Sequence, residues 1–240
     1  MKNVKLFPAV IVLTLALSVS LPQTTASPSL ASEGDATPES VSVFILVDGE
    51  MTEIAPETQS QYMLDVTQPS KTTPEDEFDN FTPQLIDFPQ WVSCFTQNNS
   101  DDVFALYTSY HNGQAHDVRL KCGTHDPETS NGWGYEHIRS GHESTWQKHL
   151  NAARENGWNV GPIANGGSWD NMMSALTGET IAFPEYVNDS GSNKTRCVNA
   201  EFFFGDVQTG EITYSMRVTA VFALNNDRLI TSYPTTKTTC

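Results

Sequence analysis

Cations are what this 240-residue chain has least of: 13 Lys and Arg stand against 29 Asp and Glu, a formal net charge of −16. The deficit is uneven, because residues 1–117 hold 3 Lys and Arg against 16 Asp and Glu, whereas residues 118–240 hold 10 against 13. Broad nonspecific adhesion to nucleic acid rests on neutralising phosphates with Lys and Arg, so that class of function is excluded and only a small local anion site remains open. Long apolar runs are also missing. Phe7–Leu17 is too short for a comfortable membrane span, and no later segment approaches the roughly 20 apolar residues that a spanning helix needs. There is no repeat array and no Cys-x-x-Cys pair, the close spacing of a zinc site.

What is present begins with Lys2, Lys5, the apolar run and small residues at Thr24-Thr25-Ala26 and Ser29-Leu30-Ala31, the layout of a secretory signal peptide over residues 1–26. The mature protein is then expected to be secreted and soluble. Four cysteines follow, Cys94, Cys122, Cys197 and Cys240, an even number that favours two disulfides in an exported chain. Three connectivities exist. Cys94–Cys122 with Cys197–Cys240 is favoured, since each pair ties neighbouring extended segments and the second fastens the C-terminus. Sequons at Asn80, Asn98, Asn188 and Asn193 mark polar surface loops.

Residues 27–88 are rich in Ser, Thr, Pro and acid, with Thr72–Glu77 their most polar point, and read as an acidic linker or pro-region that is mostly disordered. Within it only Val41–Val47 reads as a strand. A sharper reading has the acidic stretch mimicking phosphate and shielding a C-terminal site until removed. Residues 89–240 make the folded domain. Trp91–Phe95, Val103–Tyr110 and His116–Cys122 read as short strands, the last two paired across His111-Asn112-Gly113. Gly134–His142 and Glu143–Gly157 carry helical spacing, and Ser168–Gly178 reads as a helix with Ser168 as N-cap and Gly178 as stop. Strands follow at Ala200–Phe204, Ile212–Leu224 and Arg228–Tyr233, with Asn225-Asn226-Asp227 as a hairpin turn. The order predicts an α+β domain, N-terminal helices packed on a C-terminal antiparallel sheet.

Two histidines five apart, His137 and His142, carry the chemical signal, since imidazole takes and gives protons near neutrality. As metal ligands they fit poorly, because five helical residues rotate by about 140° whereas ligand pairs share a face at i+3 or i+4. Gly141 offers a helix break that folds His142 back beside His137, the two imidazoles flanking a pocket. The same spacing also describes one surface histidine and one buried, hydrogen-bonded one. His149, seven residues after His142, forms an alternative pair on an unbroken helix, while His111, His116 and His125 fall in turns or edges. Thr231 and Tyr233, two apart on a strand, present their hydroxyls to one face. Trp133, Trp158 and Trp169 suit either base stacking or a core.

The succession Leu120-Lys121-Cys122-Gly123, Trp133-Gly134-Tyr135-Glu136-His137-Ile138 with His142, Trp169 and its helix, and Ile230-Thr231-Ser232-Tyr233-Pro234-Thr235 resembles the toxin-type ribonucleases grouped around barnase, EndoU and colicin domains, the C-terminal domains of polymorphic toxins. The match spans Leu120 to Thr235, about half of the chain, through short motifs. The resemblance implies metal-independent, cofactor-free cleavage of RNA to a 2′,3′-cyclic phosphate, with His137 as base, His142 as acid or the reverse, and Thr231 and Tyr233 on the phosphate. It also implies an immunity protein as partner where the producer needs one. The lysine such families recruit has no match here. Of the nearby cations Arg139, Lys148, Arg217 and Arg228, Arg217 is the expected phosphate cation, with a surface ion pair to Asp206 or Glu211 as the other outcome. The contrasting reading is a secreted, non-catalytic binding or surface-associated module on the same fold.

Overall fold

Alternation of apolar and polar residues builds most of this molecule. In β1 (Val41–Val47) the side chains of Val41, Val43 and Ile45 are buried while their neighbours are half-exposed. In the long strands β8 (Thr195–Asp206) and β9 (Ile212–Ala223) the inward set includes Phe202, Phe204, Met216, Val218, Ala220 and Phe222. The computed structural model describes residues 41–54, 85–159 and 167–240, all within one unit. The expected leader, the Thr72–Glu77 stretch and the Asn80 sequon lie outside them.

The strands join in an antiparallel sheet of order β10-β9-β8-β1-β2, where β2 is Glu50–Glu53 and β10 is Leu229–Thr235. The short β7 (Tyr186–Ser190) pairs with the first half of β8, and β1 pairs with its second half. A separate hairpin joins β3 (Val103–His111) to β4 (Gln114–Lys121) through Asn112 and Gly113, whose φ values of 52° and 74° are those that a two-residue turn between twisted strands requires. After it come a two-residue ladder, β5 (Thr124–His125) with β6 (Gly132–Trp133), and two long helices, α2 (Gly134–Glu155) and α3 (Trp169–Ala182). A short α1 (Phe88–Trp91), closed by an Asp87/Gln90 capping box, runs into a single π-helical turn at Val92–Thr96.

This arrangement corrects the expected one. The sheet dominates, the long helices sit mid-chain between β6 and β7, and a sheet strand precedes them. Val41–Val47, expected as an isolated strand in a linker, is held between β8 and β2 because its alternating valines and isoleucine complete the apolar face. Trp91–Phe95, expected as a strand, is helical.

Helix α3 is buried along nearly its whole length and lies against β3, β8, β9 and α2. Three of its hydroxyl side chains are matched accordingly: Ser174 with the Tyr107 hydroxyl at 2.8 Å, Thr177 with Ser232 at 2.7 Å, and Thr180 with the Leu176 carbonyl at 2.7 Å. Gly178 does not stop it, since that position is buried and the helix continues to Ala182. Ser168 makes no side-chain cap and instead bonds Asp170. Both disulfides pair as favoured, Cys94–Cys122 joining the π-helical turn to the end of β4 and Cys197–Cys240 joining β8 to the C-terminus.

Phe202 is fully buried at the middle of the sheet, and truncating such a side chain costs the transfer term plus a cavity. Phe202→Ala is expected to lower stability by about 3–5 kcal/mol, read as a shift of the urea midpoint with the disulfides intact.

Candidate functional site

The start of α2 decides where its histidines go. Gly134 has φ +79°, and a Cβ there would stand 2.6 Å from the Lys121 carbonyl oxygen, so only glycine lets the helix begin this close to β4. The Glu136 amide then donates to the Cys122 carbonyl at 2.9 Å. Further along, the Trp146 indole donates to the Ser232 carbonyl at 3.2 Å and fastens α2 to β10. With Ile138, Trp146, Leu150 and Ala153 turned into the core, His137 and His142 are left half-buried on its flank.

The expected break at Gly141 does not occur. Gly141 is exposed with nothing near its Cβ position, and α2 passes through it unbroken. The imidazoles meet nonetheless, their ring centroids 6.4 Å apart and perpendicular. On one side His125 stands 5.7 Å from His137, and on the other Tyr233 stands 4.9 Å from His142. The result is a row of four rings, His125, His137, His142 and Tyr233, drawn from β5, α2 and β10. β10 supplies its part by alternation. Ser232 points inward to Thr177, so Thr231 and Tyr233 face the other way.

Three polar atoms in this neighbourhood are buried without a hydrogen-bond partner among the described residues: His125 Nδ1, His137 Nδ1 and Thr231 Oγ1. An unmatched buried donor or acceptor costs about 1–3 kcal/mol, and such groups cluster where a protein is built to meet something else. His125 also shares a 2.8 Å hydrogen bond through Nε2 with Ser140 Oγ, which fixes its ring. Burial, and then the neighbouring His125, hold the His137 imidazole below its ordinary pKa; burial, and then His137, do the same to His142.

Other sequence candidates lie elsewhere. Arg217 is held by Glu185 at 2.7 Å, by Glu201 and by Asn199, and its cross-strand neighbour on β10 is Thr235. The structure therefore joins it to two carboxylates, neither of them Asp206 or Glu211, rather than to the histidines. His149 Nδ1 bonds the Tyr214 hydroxyl at 2.5 Å. His116 Nε2 lies 3.0 Å from the Ala223 carbonyl and fastens the hairpin to β9. Trp158 packs edge-on against Phe204 and Trp169 stacks with Tyr135, both in the core. Trp133 is half-exposed beneath the Arg228 guanidinium at 4.2 Å. Arg139 pairs with Glu143 and covers Phe95.

His125 is the residue that sequence reasoning passed over. Its only signal was position, three residues after Cys122, because a two-residue ladder leaves no periodicity to read. A cavity of about 410 Å³ beside α2 is lined by Tyr135, Arg139, Glu143, Trp169 and others but by none of the histidines. The group of potential metal ligands found among the described residues is Cys94, Cys122 and Glu136, and its two sulfurs are bonded to each other.

Both lowered imidazoles stay neutral in the folded chain at pH values where an unfolded histidine, pKa about 6.5, takes up a proton. Their contribution to stability is thus complete above about pH 6.5 and is lost as pH falls through the lowered folded values. Urea midpoints at pH 7.5 and 5.5 are expected to differ less for His142→Asn than for the parent.

Comparison with protein-family models, with curated proteins and with solved structures finds no match for this chain.

Proposed function

We propose that this chain is a secreted endoribonuclease of toxin type that cleaves RNA by acid–base transphosphorylation without a metal. The observation that carries the reading is the row of rings around three unmatched buried polar atoms. A 2′-hydroxyl attacking its adjacent phosphate needs a base for its proton, an acid for the departing 5′-oxygen and donors for the charge on phosphorus-bound oxygens. His137 takes the 2′ proton, the P–O2′ bond forms as the P–O5′ bond breaks, and His142 gives its proton to the 5′-oxygen. The products are a 2′,3′-cyclic phosphate and a free 5′-hydroxyl, with no net proton change. Thr231 and Tyr233 hydroxyls donate to the phosphate. The disulfides fit assembly in an oxidising compartment, and no helix among the described residues is long and apolar enough to cross a membrane. An immunity protein is the partner this reading implies for a producing cell.

One observation favours a binding module instead. Arg119, Lys121, Arg196 and Arg217 are all engaged by carboxylates, which lowers the positive charge offered to RNA. Catalysis separates the two readings.

His137→Ala and His142→Ala in the full mature chain are each expected to lower cleavage of mixed RNA by about 10²–10⁴-fold, in chelator, with the cyclic phosphate as the parent's product. Full activity in both variants removes the assignment. Because burial lowers both imidazoles, the protonated acid is scarce at neutrality. The kcat/KM maximum is therefore expected below about pH 6.5.

A further inference from the structure

Phosphate recognition asks for a cation, and most of those around the histidine row are committed. Arg139 is bound to Glu143, and Arg119 and Lys121 to Asp227. Arg228 differs. Its side chain is exposed, it has no carboxylate partner among the described residues, and its guanidinium lies 4.2 Å over the Trp133 ring.

Both halves of that pair are tied to the site. Trp133 is the residue before α2, and its strand neighbour Gly132 lies against His137, since a Cβ on Gly132 would come within 3.2 Å of the His137 Cβ. Arg228 immediately precedes β10 and stands three residues before Thr231. The turn behind it is braced, with the Asn226 side chain accepting from the Arg228 amide at 3.0 Å and Asp227 gripping Arg119 at 2.8 Å and Lys121 at 3.1 Å. The ring contact holds the guanidinium in place while the exposed side chain leaves N–H groups open to an anion, and a guanidinium can bind phosphate through two of them.

Arg228 stands ahead of β10, across a register shift between Leu229 and Thr231, and is fixed at Trp133, outside the row that Tyr233 joins. We propose that Arg228, oriented by Trp133, binds the non-scissile phosphate next to the cleaved one, so that the site takes RNA strands rather than dinucleotides. This rests on the ribonuclease reading. Its consequence is a preference for substrates that carry a phosphate beyond the scissile one.

The test compares a dinucleoside monophosphate, which has only the scissile phosphate, with a tetranucleotide, for the parent, Arg228→Gln and Arg228→Lys. The parent is expected to favour the tetranucleotide by about tenfold or more in kcat/KM, through KM. Arg228→Gln brings that ratio near one and reduces the salt slope of tetranucleotide binding by about one, and Arg228→Lys restores part of the preference. A ratio and slope unchanged in Arg228→Gln, or a loss confined to kcat, overturns the proposal. Should the parent cleave no RNA, the ribonuclease reading fails by itself, and binding of a 2′-deoxy tetranucleotide decides the phosphate site. Weaker binding by a folded Arg228→Gln chain then supports that site, and equal binding by the two removes it.

Discussion

A helix enclosed on nearly every side is costly wherever its polar groups go unmatched, and the partners that α3 finds for several of its side chains place its neighbours. Ser174 draws in Tyr107 from the hairpin, Thr177 draws in Ser232 from β10, and Asp170 accepts from the Tyr135 hydroxyl at 2.9 Å. Burial and the adjacent Asp170 charge push the Tyr135 phenol well above its ordinary pKa, so it remains a donor. Through these bonds one helix registers the β3–β4 hairpin, the start of α2 and the closing strand against one another. The last of them fixes which way β10 faces. With Ser232 turned inward, Thr231 and Tyr233 have to look outward toward the histidines.

Local rules made much of the frame legible. The Asn112-Gly113 turn, the final antiparallel strands and the shared face of Thr231 and Tyr233 follow from spacing and turn chemistry, and each has its counterpart in the structure; of three possible disulfide connectivities the favoured one is the one formed. Glycine was read too uniformly. Gly141 and Gly178 looked like breaks, yet one is an exposed position that a 22-residue helix tolerates and the other is packed within α3. The place of β1 was not legible, because pairing with β8 is a contact across most of the chain and the composition around it points to a linker.

The candidate site was legible in its histidines and hydroxyls and illegible in its charges. Which carboxylate a given arginine meets depends on the register of strands far apart in sequence. Arg217 reaches Glu185 and Glu201 only because β7, β8 and β9 run side by side. The acidic surplus therefore acts locally as well as globally. It occupies several of the cations, whereas Arg228 is held by an aromatic ring instead.

Cys122 is bonded to Cys94 through its side chain and accepts from the Glu136 amide through its carbonyl, so one residue is both half of a disulfide and the seat of α2. The position of His137, one residue beyond that hydrogen bond, is in this way coupled to thiol chemistry some distance from it. Cleaving that disulfide would take the cross-link away from the residue on which the first turn of α2 is seated.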